Sequence, residues 1–234
     1  MFKSFIERVE HDFQIQLTEQ QEKRFSIYYE TLMAYNKKVN LTRITEENEV
    51  YYKHFYDSLT MIKTIDLKQV NSICDMGAGA GFPSIPLKII YPHLEITIID
   101  SLGKRIKFLE SLLETLGIKD VKLVYDRIEN YAIKHTNTFD IVTARALGAL
   151  PLILELGMPM VKCNKFFIAY KGSNYKEEIK SAENALKVLR GRIKNVNDIE
   201  LPNHMGFRAH IVIQKMKHVI GYPRNYATIK KKPL

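Results

Sequence analysis

The chain carries Cys74-Asp75-Met76-Gly77-Ala78-Gly79-Ala80-Gly81-Phe82-Pro83-Ser84-Ile85-Pro86, and this stretch decides the fold. An apolar run with β-strand character enters an acid, passes through three glycines separated by single residues, and leaves into a segment that tolerates early prolines. Glycines at alternate positions permit positive φ angles and bring backbone N–H groups close to a ligand. The pattern predicts a strand, a tight ligand-binding turn and a helix start. An ordinary glycine-rich turn is the alternative.

The glycine spacing narrows the kind of ligand. A dinucleotide-binding loop reads G-x-G-x-x-G, whereas the third glycine here comes one residue earlier and Asp75 stands two residues before the first glycine. This arrangement resembles the first motif of Rossmann-like methyltransferases, in which the loop holds the amino-acid end of S-adenosylmethionine. The next strand, expected over 94–99, should end in a carboxylate that binds ribose hydroxyls, and Asp100 occupies that position.

Strands and helices alternate from about residue 67, which predicts an α/β fold with a parallel sheet and helices on both faces. Together with this alternation, the resemblance of the glycine loop implies a Rossmann-like class I methyltransferase fold with a mostly parallel seven-stranded sheet. We expect later strands over 121–125, 139–143, 165–170, 192–199 and 207–214, and one long helix over 175–189. Polar residues follow the expected strand ends, namely Asp75, Asp100, Arg127 to Glu129, Arg145 and Lys171. Ligands of open α/β sheets bind at such ends, so one crevice can gather these side chains.

Residues 1–66 are predicted to form an N-terminal helical extension, and residues 67–234 the Rossmann-like domain with a basic C-terminal tail. Thr18 and Gln21 have the spacing of a capping box. A second helix should start after Thr45. His54 and Asp57 lie three residues apart on it and share a face, which we interpret as a structural pair.

The net charge of +9 is concentrated near the C-terminal end. Residues 1–66 hold nine Lys or Arg against eleven Asp or Glu, whereas residues 201–234 hold seven basic residues and no acidic one. Aromatic residues interrupt this basic segment, a composition that attracts a phosphate backbone. A solvated basic tail is the other interpretation.

Several classes of protein are disfavoured by composition. The sequence has no run of roughly 18 apolar residues, and its charged start lacks the apolar core of a signal peptide. Cys74 and Cys163 provide neither a disulfide framework nor a metal-ligand set. We therefore expect a cytoplasmic protein without metal or membrane partner. A monomer is our separate expectation, on which these features do not bear.

Further motifs resemble the RsmG/GidB family of bacterial methyltransferases, which modify N7 of a guanine in 16S rRNA of the small ribosomal subunit. The matching stretches run from the N-terminal helices to the last residue, namely Tyr35-Asn36-Lys37-Lys38-Val39-Asn40-Leu41-Thr42, His54-Phe55-Tyr56-Asp57-Ser58-Leu59, Asp75 to Pro86, Lys104-Arg105-x-x-Phe108-Leu109, Arg145-Ala146, Tyr170-Lys171-Gly172, and Tyr222-Pro223-Arg224 with Lys232-Pro233-Leu234.

The resemblance implies S-adenosylmethionine as cofactor and 16S rRNA, or the small-subunit particle, as partner. It implies cofactor contacts from Gly77 and Phe82, adenine contacts from Ile128 and Glu129, and a role for Arg145 at the methionine end or the target nucleotide. Asp100 at the ribose is a physical inference. We expect contacts with the RNA backbone from a basic set comprising Lys37, Lys38, Lys171, Arg224, Lys230, Lys231 and Lys232.

Guanine N7 carries a free lone pair at neutral pH, so in-line methyl transfer needs no general base and no catalytic residue is predicted. Positioning and water exclusion should be the enzyme's contribution. Three other functions stay open: a methyltransferase for a small molecule or protein, a non-catalytic RNA-binding module with a vestigial pocket, and a nicotinamide-dependent dehydrogenase.

Overall fold

The computed structural model describes residues 2–234 and contains one seven-stranded sheet with the order β3-β2-β1-β4-β5-β7-β6. The strands are β1 (Ser72–Met76), β2 (Glu95–Asp100), β3 (Val121–Tyr125), β4 (Phe139–Arg145), β5 (Val161–Lys171), β6 (Gly191–Glu200) and β7 (Phe207–Lys215). β7 pairs antiparallel with both β5 and β6, and the pairs formed among β1 to β5 are parallel. The predicted mostly parallel α/β sheet is confirmed.

The helices are α1 (Phe2–Phe13), α2 (Glu19–Asn36), α3 (Glu47–Val50), α4 (Asp57–Leu59), α5 (Ser84–Ile90), α6 (Gly103–Leu116), α7 (Ile128–Lys134), α8 (Leu150–Gly157), α9 (Tyr175–Ser181), α10 (Glu183–Val188) and α11 (Tyr226–Lys231). A π-helix over Tyr51–Tyr56 joins α3 to α4, and a 3-10 turn over Thr60–Lys63 follows. Within the described range, no helix combines the length and apolar character needed to cross a membrane.

One predicted helix is wrong. The segment 175–189 divides into α9 and α10 at Ala182, whose φ of −96° and ψ of 1° leave the helical region. The Ser181 hydroxyl donates to the carbonyl of Glu178 (2.8 Å), and such side-chain bonds compete with the helical ladder. The buried Ala182 then packs in the core beneath the break.

The N-terminal helices share a hydrophobic core with the sheet. The predicted capping box opens α2, with Gln21 N donating to Thr18 Oγ1 (3.3 Å) and Thr18 N donating to Gln21 Oε1 (2.9 Å). One buried cluster joins Phe25 of α2 to Ile141 of β4 and Ile168 of β5. Residues on both sides of the predicted boundary at 66 therefore bury the same face of the sheet.

The opposite face of the sheet is covered by α7 to α11. Their buried side chains form a second cluster with strand residues that include Val142 and Phe167. Ile229 of α11 belongs to this cluster and is fully buried. The C-terminal segment is therefore part of the core on this face.

An ion pair fixes the start of that segment. Glu155 of α8 is 0 % exposed, and Arg224 donates to its carboxylate from Nε (2.6 Å), from a terminal nitrogen (2.6 Å) and from the backbone N (3.2 Å). The carboxylate in turn raises the pKa of Arg224. The expectation that Arg224 binds RNA phosphate is not supported, because this guanidinium neutralises a buried carboxylate.

We predict that Arg224→Ala lowers the free energy of unfolding by about 3 kcal/mol, because it leaves the Glu155 carboxylate buried without its counter-charge. Urea titration of the full chain measures the change, with Arg192→Ala on exposed β6 as a control expected to stay within about 0.5 kcal/mol. A loss below about 1 kcal/mol would show that Glu155 tolerates burial alone.

Candidate cofactor site

The glycine loop lies against the ends of neighbouring strands. It follows β1, and Gly77 N donates to the carbonyl of Ile99 at the end of β2 (2.8 Å). Asp100 ends β2 and Arg145 ends β4, which pair on either side of β1. The sequence-predicted side chains therefore meet at the carboxyl edge of the sheet.

Close packing requires glycine in this loop. Gly77, Gly79 and Gly81 have φ of +69°, +61° and +98°. A Cβ on Gly81 would lie 2.7 Å from the hydroxyl oxygen of Tyr28. That hydroxyl donates to the carbonyl of Ala80 (2.5 Å), so α2 fixes the loop from outside the Rossmann-like domain.

Four of the predicted cofactor-binding residues line one cavity of about 230 Å³. Gly77, Asp100, Ile128 and Glu129 all contribute to it, together with apolar and basic side chains that include Leu147, Leu152, Leu156, Arg105, Arg127 and Tyr226. The structure thus brings together four residues that sequence reasoning named separately, in a cavity that combines two buried carboxylates with apolar walls.

Both carboxylates of this cavity are held in place. Asp100 accepts from Leu102 N (2.9 Å) and from a terminal nitrogen of Arg105 (3.0 Å). Glu129 accepts from Arg127 Nε (2.5 Å). Each carboxylate oxygen has two lone pairs, so these bonds orient the groups and leave acceptor capacity for ligand hydroxyls.

Two further cavities continue the crevice. One of about 380 Å³ is lined by residues of the glycine loop, among them Gly77 and Phe82, and by Arg145. The next, of about 390 Å³, shares His54 and Arg145 with it and extends to Arg208. An adenosine-sized cavity is therefore followed by the glycine loop and then by an open cationic cavity.

Arg145 is held between two side chains of the N-terminal helices. One terminal nitrogen lies 2.9 Å from Asp57 Oδ2, and the other lies 2.9 Å from His54 Nδ1. Asp57, only 1 % exposed, also receives Arg208 Nε at 3.1 Å. The guanidinium of Arg145 stands 5.3 Å from the ring centroid of Phe82. This network fixes two cations at the crevice.

His54 is neutral in this network. Arg145 can only donate, so His54 Nδ1 accepts and the ring proton resides on Nε2, which donates to Thr42 Oγ1 (2.8 Å). Burial, and then the positive charge of Arg145, lower the pKa of His54 to about 3. His54 and Asp57 share a face and serve a structural role, as interpreted from the sequence, but they are joined through Arg145, which both bind, and not to each other. Their shared helix face was the available signal.

Lys171 is also bound to other groups of the protein. Its Nζ donates to Glu178 Oε2 (2.6 Å) and to the carbonyl of Gly148 (2.6 Å), and its side chain is 7 % exposed. It lines the cationic cavity, yet the expectation of a phosphate contact is not supported, because the ammonium holds α9 and the loop before α8.

The remaining predicted RNA-binding lysines are exposed. Lys37 and Lys38 follow α2 in a loop that Asn36 organises by accepting from Leu41 N (2.8 Å) and Thr42 N (3.0 Å). Exposed basic side chains at the other end of the chain are Lys230, Lys231 and Lys232. Their contact with RNA stays a prediction.

Asp75 is buried behind the loop. Its Oδ2 accepts from Ser84 Oγ (2.6 Å) and Ser84 N (3.2 Å), while Oδ1 has no hydrogen-bond partner among residues 2–234. Burial raises the pKa of Asp75 to about 7, partly offset by the bonds from Ser84. Asp75 is 0 % exposed and lines none of the three cavities of the crevice, so it acts on the site through Ser84 at the start of α5.

Comparison with known proteins identifies the family of the chain. A family model described as GidB, rRNA small subunit methyltransferase G, matches residues 21–206. The chain belongs to this family. It is 52% identical over 220 residues to ribosomal RNA small subunit methyltransferase G of Acholeplasma laidlawii, covering 94% of this chain and 95% of the relative. The Bacillus subtilis protein of the same name is 44% identical over 223 residues, covering 94% and 93%.

Solved structures agree in fold. The P. horikoshii TYW2 structure in complex with MeSAdo has a TM-score of 0.55 at 12% identity, covering 69% of this chain and 62% of that one. A putative O-methyltransferase from Klebsiella pneumoniae has a TM-score of 0.55 at 10% identity, covering 81% and 90%. The fold is therefore that of Rossmann-like class I methyltransferases.

GidB-family membership makes the chain an S-adenosylmethionine-dependent methyltransferase. Its residues fit that cofactor, because the cavity that contains the Asp100 and Glu129 carboxylates suits a nucleoside, and the adjoining cavity at the glycine loop, where Arg145 supplies a positive charge, suits an amino acid. Among residues 2–234, no cluster of three or more His, Cys, Asp or Glu side chains could hold a metal ion.

We predict that Asp75 destabilises the ligand-free protein as the pH rises. Its folded-state pKa of about 7 exceeds the pKa of roughly 3.9 of an aspartate in the unfolded chain. At pH values between these two, Asp75 is therefore protonated in the folded state and ionised in the unfolded state. Relative to Asp75→Asn, the wild-type free energy of unfolding should fall by up to about 1.4 kcal/mol per pH unit below pH 7 and level off above it. Urea titrations from pH 5 to 8 test this, and parallel curves for the two proteins would contradict it.

Proposed function

We propose that the chain transfers a methyl group from S-adenosylmethionine to N7 of a guanine in 16S rRNA of the small ribosomal subunit. The observation that carries the proposal is the crevice itself, in which a nucleoside cavity continues past the glycine loop into an open cavity lined by Arg145 and Arg208. Family membership supports the same substrate class.

The chemistry demands little proton transfer from the protein. The bound cofactor supplies a methyl group already activated on a sulfonium, and guanine N7 offers a lone pair without losing a proton. The protein must hold the two in line and exclude water. A site without a free base is therefore sufficient for this reaction.

The groups nearest the open cavity are unsuited to act as a base. His54 Nδ1 already accepts from Arg145, and its Nε2 carries the proton. Asp57 is engaged by Arg145 and by Arg208. This arrangement matches the in-line mechanism without a general base, since its titratable groups serve to position the two cations.

The substrate should present its guanine outside a regular helix. N7 lies on the Hoogsteen edge, which faces a major groove too narrow for protein side chains in A-form RNA. The cationic cavity can draw in a nucleotide with its phosphate, because Arg145 and Arg208 share the single carboxylate of Asp57, so the three groups together carry a net positive charge. Exposed Lys37 and Lys38 extend positive charge beside the crevice wall formed by Leu41 and Thr42.

The direct test incubates the purified chain with radiolabelled S-adenosylmethionine and small ribosomal subunits, and maps label by cleavage at N7-methylguanine. We expect label at one guanine, loss of at least tenfold in rate with Arg145→Ala, and an unchanged rate with Arg192→Ala on exposed β6. A protein that binds cofactor tightly yet labels neither subunits nor free 16S rRNA would overturn the rRNA substrate and favour a smaller acceptor.

We predict that replacing Lys230, Lys231 and Lys232 together by Gln weakens RNA binding and flattens its salt dependence. Each phosphate contact contributes about 0.7 to 0.9 to the slope of log affinity against log salt, so the slope should decrease by about two units. Filter binding from low to moderate salt measures it, and cofactor affinity should not change.

A matched control carries the same loss of charge elsewhere, at the exposed Lys3, Lys23 and Lys119. This control should lower affinity less and leave the slope nearly intact. Equal slopes for the two triple variants would mean that the tail lysines attract RNA only through overall charge.

A further inference from the structure

The segment after β7 returns to the cofactor crevice and is fixed there on both sides of Tyr226. Arg224 is bound to the buried Glu155, and Ile229 is buried in the core. Between them, the Asn225 side chain caps α11 by accepting from Thr228 N (2.9 Å). The backbone at Tyr226 is therefore held without any contribution from its own side chain.

The side chain of Tyr226 lines the 230 Å³ cavity, together with Asp100, Ile128 and Glu129. The guanidinium carbon of Arg127 lies 4.8 Å from the centroid of the Tyr226 ring, a cation–π distance. Arg127 also donates to Glu129, which belongs to the same cavity. The ring of Tyr226, the guanidinium of Arg127 and the carboxylate of Glu129 are thus in contact one after another beside the cavity. Tyr226 is partly exposed.

We propose that Tyr226 is a further cofactor-binding residue, whose ring forms a wall of the nucleoside cavity and contacts the adenosine part of S-adenosylmethionine. Tyr226 lines the cavity with Asp100 and Glu129 and is absent from the lining of the cavity that holds Phe82 and Arg145. An aromatic face suits a purine, because any base presents a π-surface for stacking. The inference rests on the cofactor and is independent of the rRNA substrate.

The alternative is that Tyr226 has a purely structural role, in which its contact with Arg127 serves only to hold α11. In that case Tyr226 would only secure α11 through Arg127, so its loss would reduce stability and leave cofactor affinity unchanged. Since Arg224 and Ile229 already anchor the segment, the two roles separate in a binding measurement.

The test is isothermal titration of the full chain with S-adenosylmethionine and, separately, with S-adenosylhomocysteine. We expect Tyr226→Ala to raise both Kd values roughly tenfold, in line with the loss of one aromatic stacking partner. The two ligands share the nucleoside and differ at sulfur, so their losses should be equal. Tyr226→Phe keeps the ring and should bind both within about twofold of wild type.

Tyr125→Ala is the matched control, because Tyr125 is a more exposed tyrosine at the end of β3 that does not line the cavity. Unchanged Kd values in folded Tyr226→Ala would overturn the proposal, as would weakening for S-adenosylmethionine alone. If the alanine variant does not fold, Tyr226→Leu decides by the same criteria. Intact cofactor binding without rRNA labelling counts against the proposed function and leaves this inference standing.

Discussion

The contact between Tyr28 and the glycine loop is the constraint on which the site depends. The Tyr28 hydroxyl reaches the carbonyl of Ala80 through the space that a side chain at Gly81 would fill, and its ring stacks on Phe82 at 5.4 Å. A fully buried aromatic from α2 thereby sets the shape of a loop in another part of the chain. The N-terminal part of the chain thus shapes the crevice from behind through Tyr28 and lines it directly through His54 and Asp57.

A second link between the same two parts is electrostatic. Asp57 places one buried carboxylate between Arg145 and Arg208, and His54 carries the connection on to Thr42. Bonds to a carboxylate inside a protein are stronger than in water, so the orientation of both cations is well defined. The helices thus supply the polar framework for the strand ends as well as apolar packing.

Much of the fold and of the cofactor site was predictable from the sequence, because it depends on residues that are neighbours in the chain. The periodicity and spacing of residues close together in the chain predict three features. These are the strand ends, the capping box at Thr18 and the loop that brings Gly77 beside Asp100. Arg224 and Lys171 show the limit. Both are basic residues in a basic neighbourhood, and only the fold brings Glu155 and Glu178 to them. Charge patterns predict attraction to RNA but do not reveal which cations are already neutralised.

The position of β7 sets an order of assembly during synthesis. β6 is made first, yet β7 lies between β5 and β6, so β6 can reach the sheet only after residues 207–215 have left the ribosome. Until then β5 exposes an unpaired edge. The segment with Tyr226 is synthesised after β7, so a nascent chain can begin to bury the core on the N-terminal face before Tyr226 is available to the nucleoside cavity.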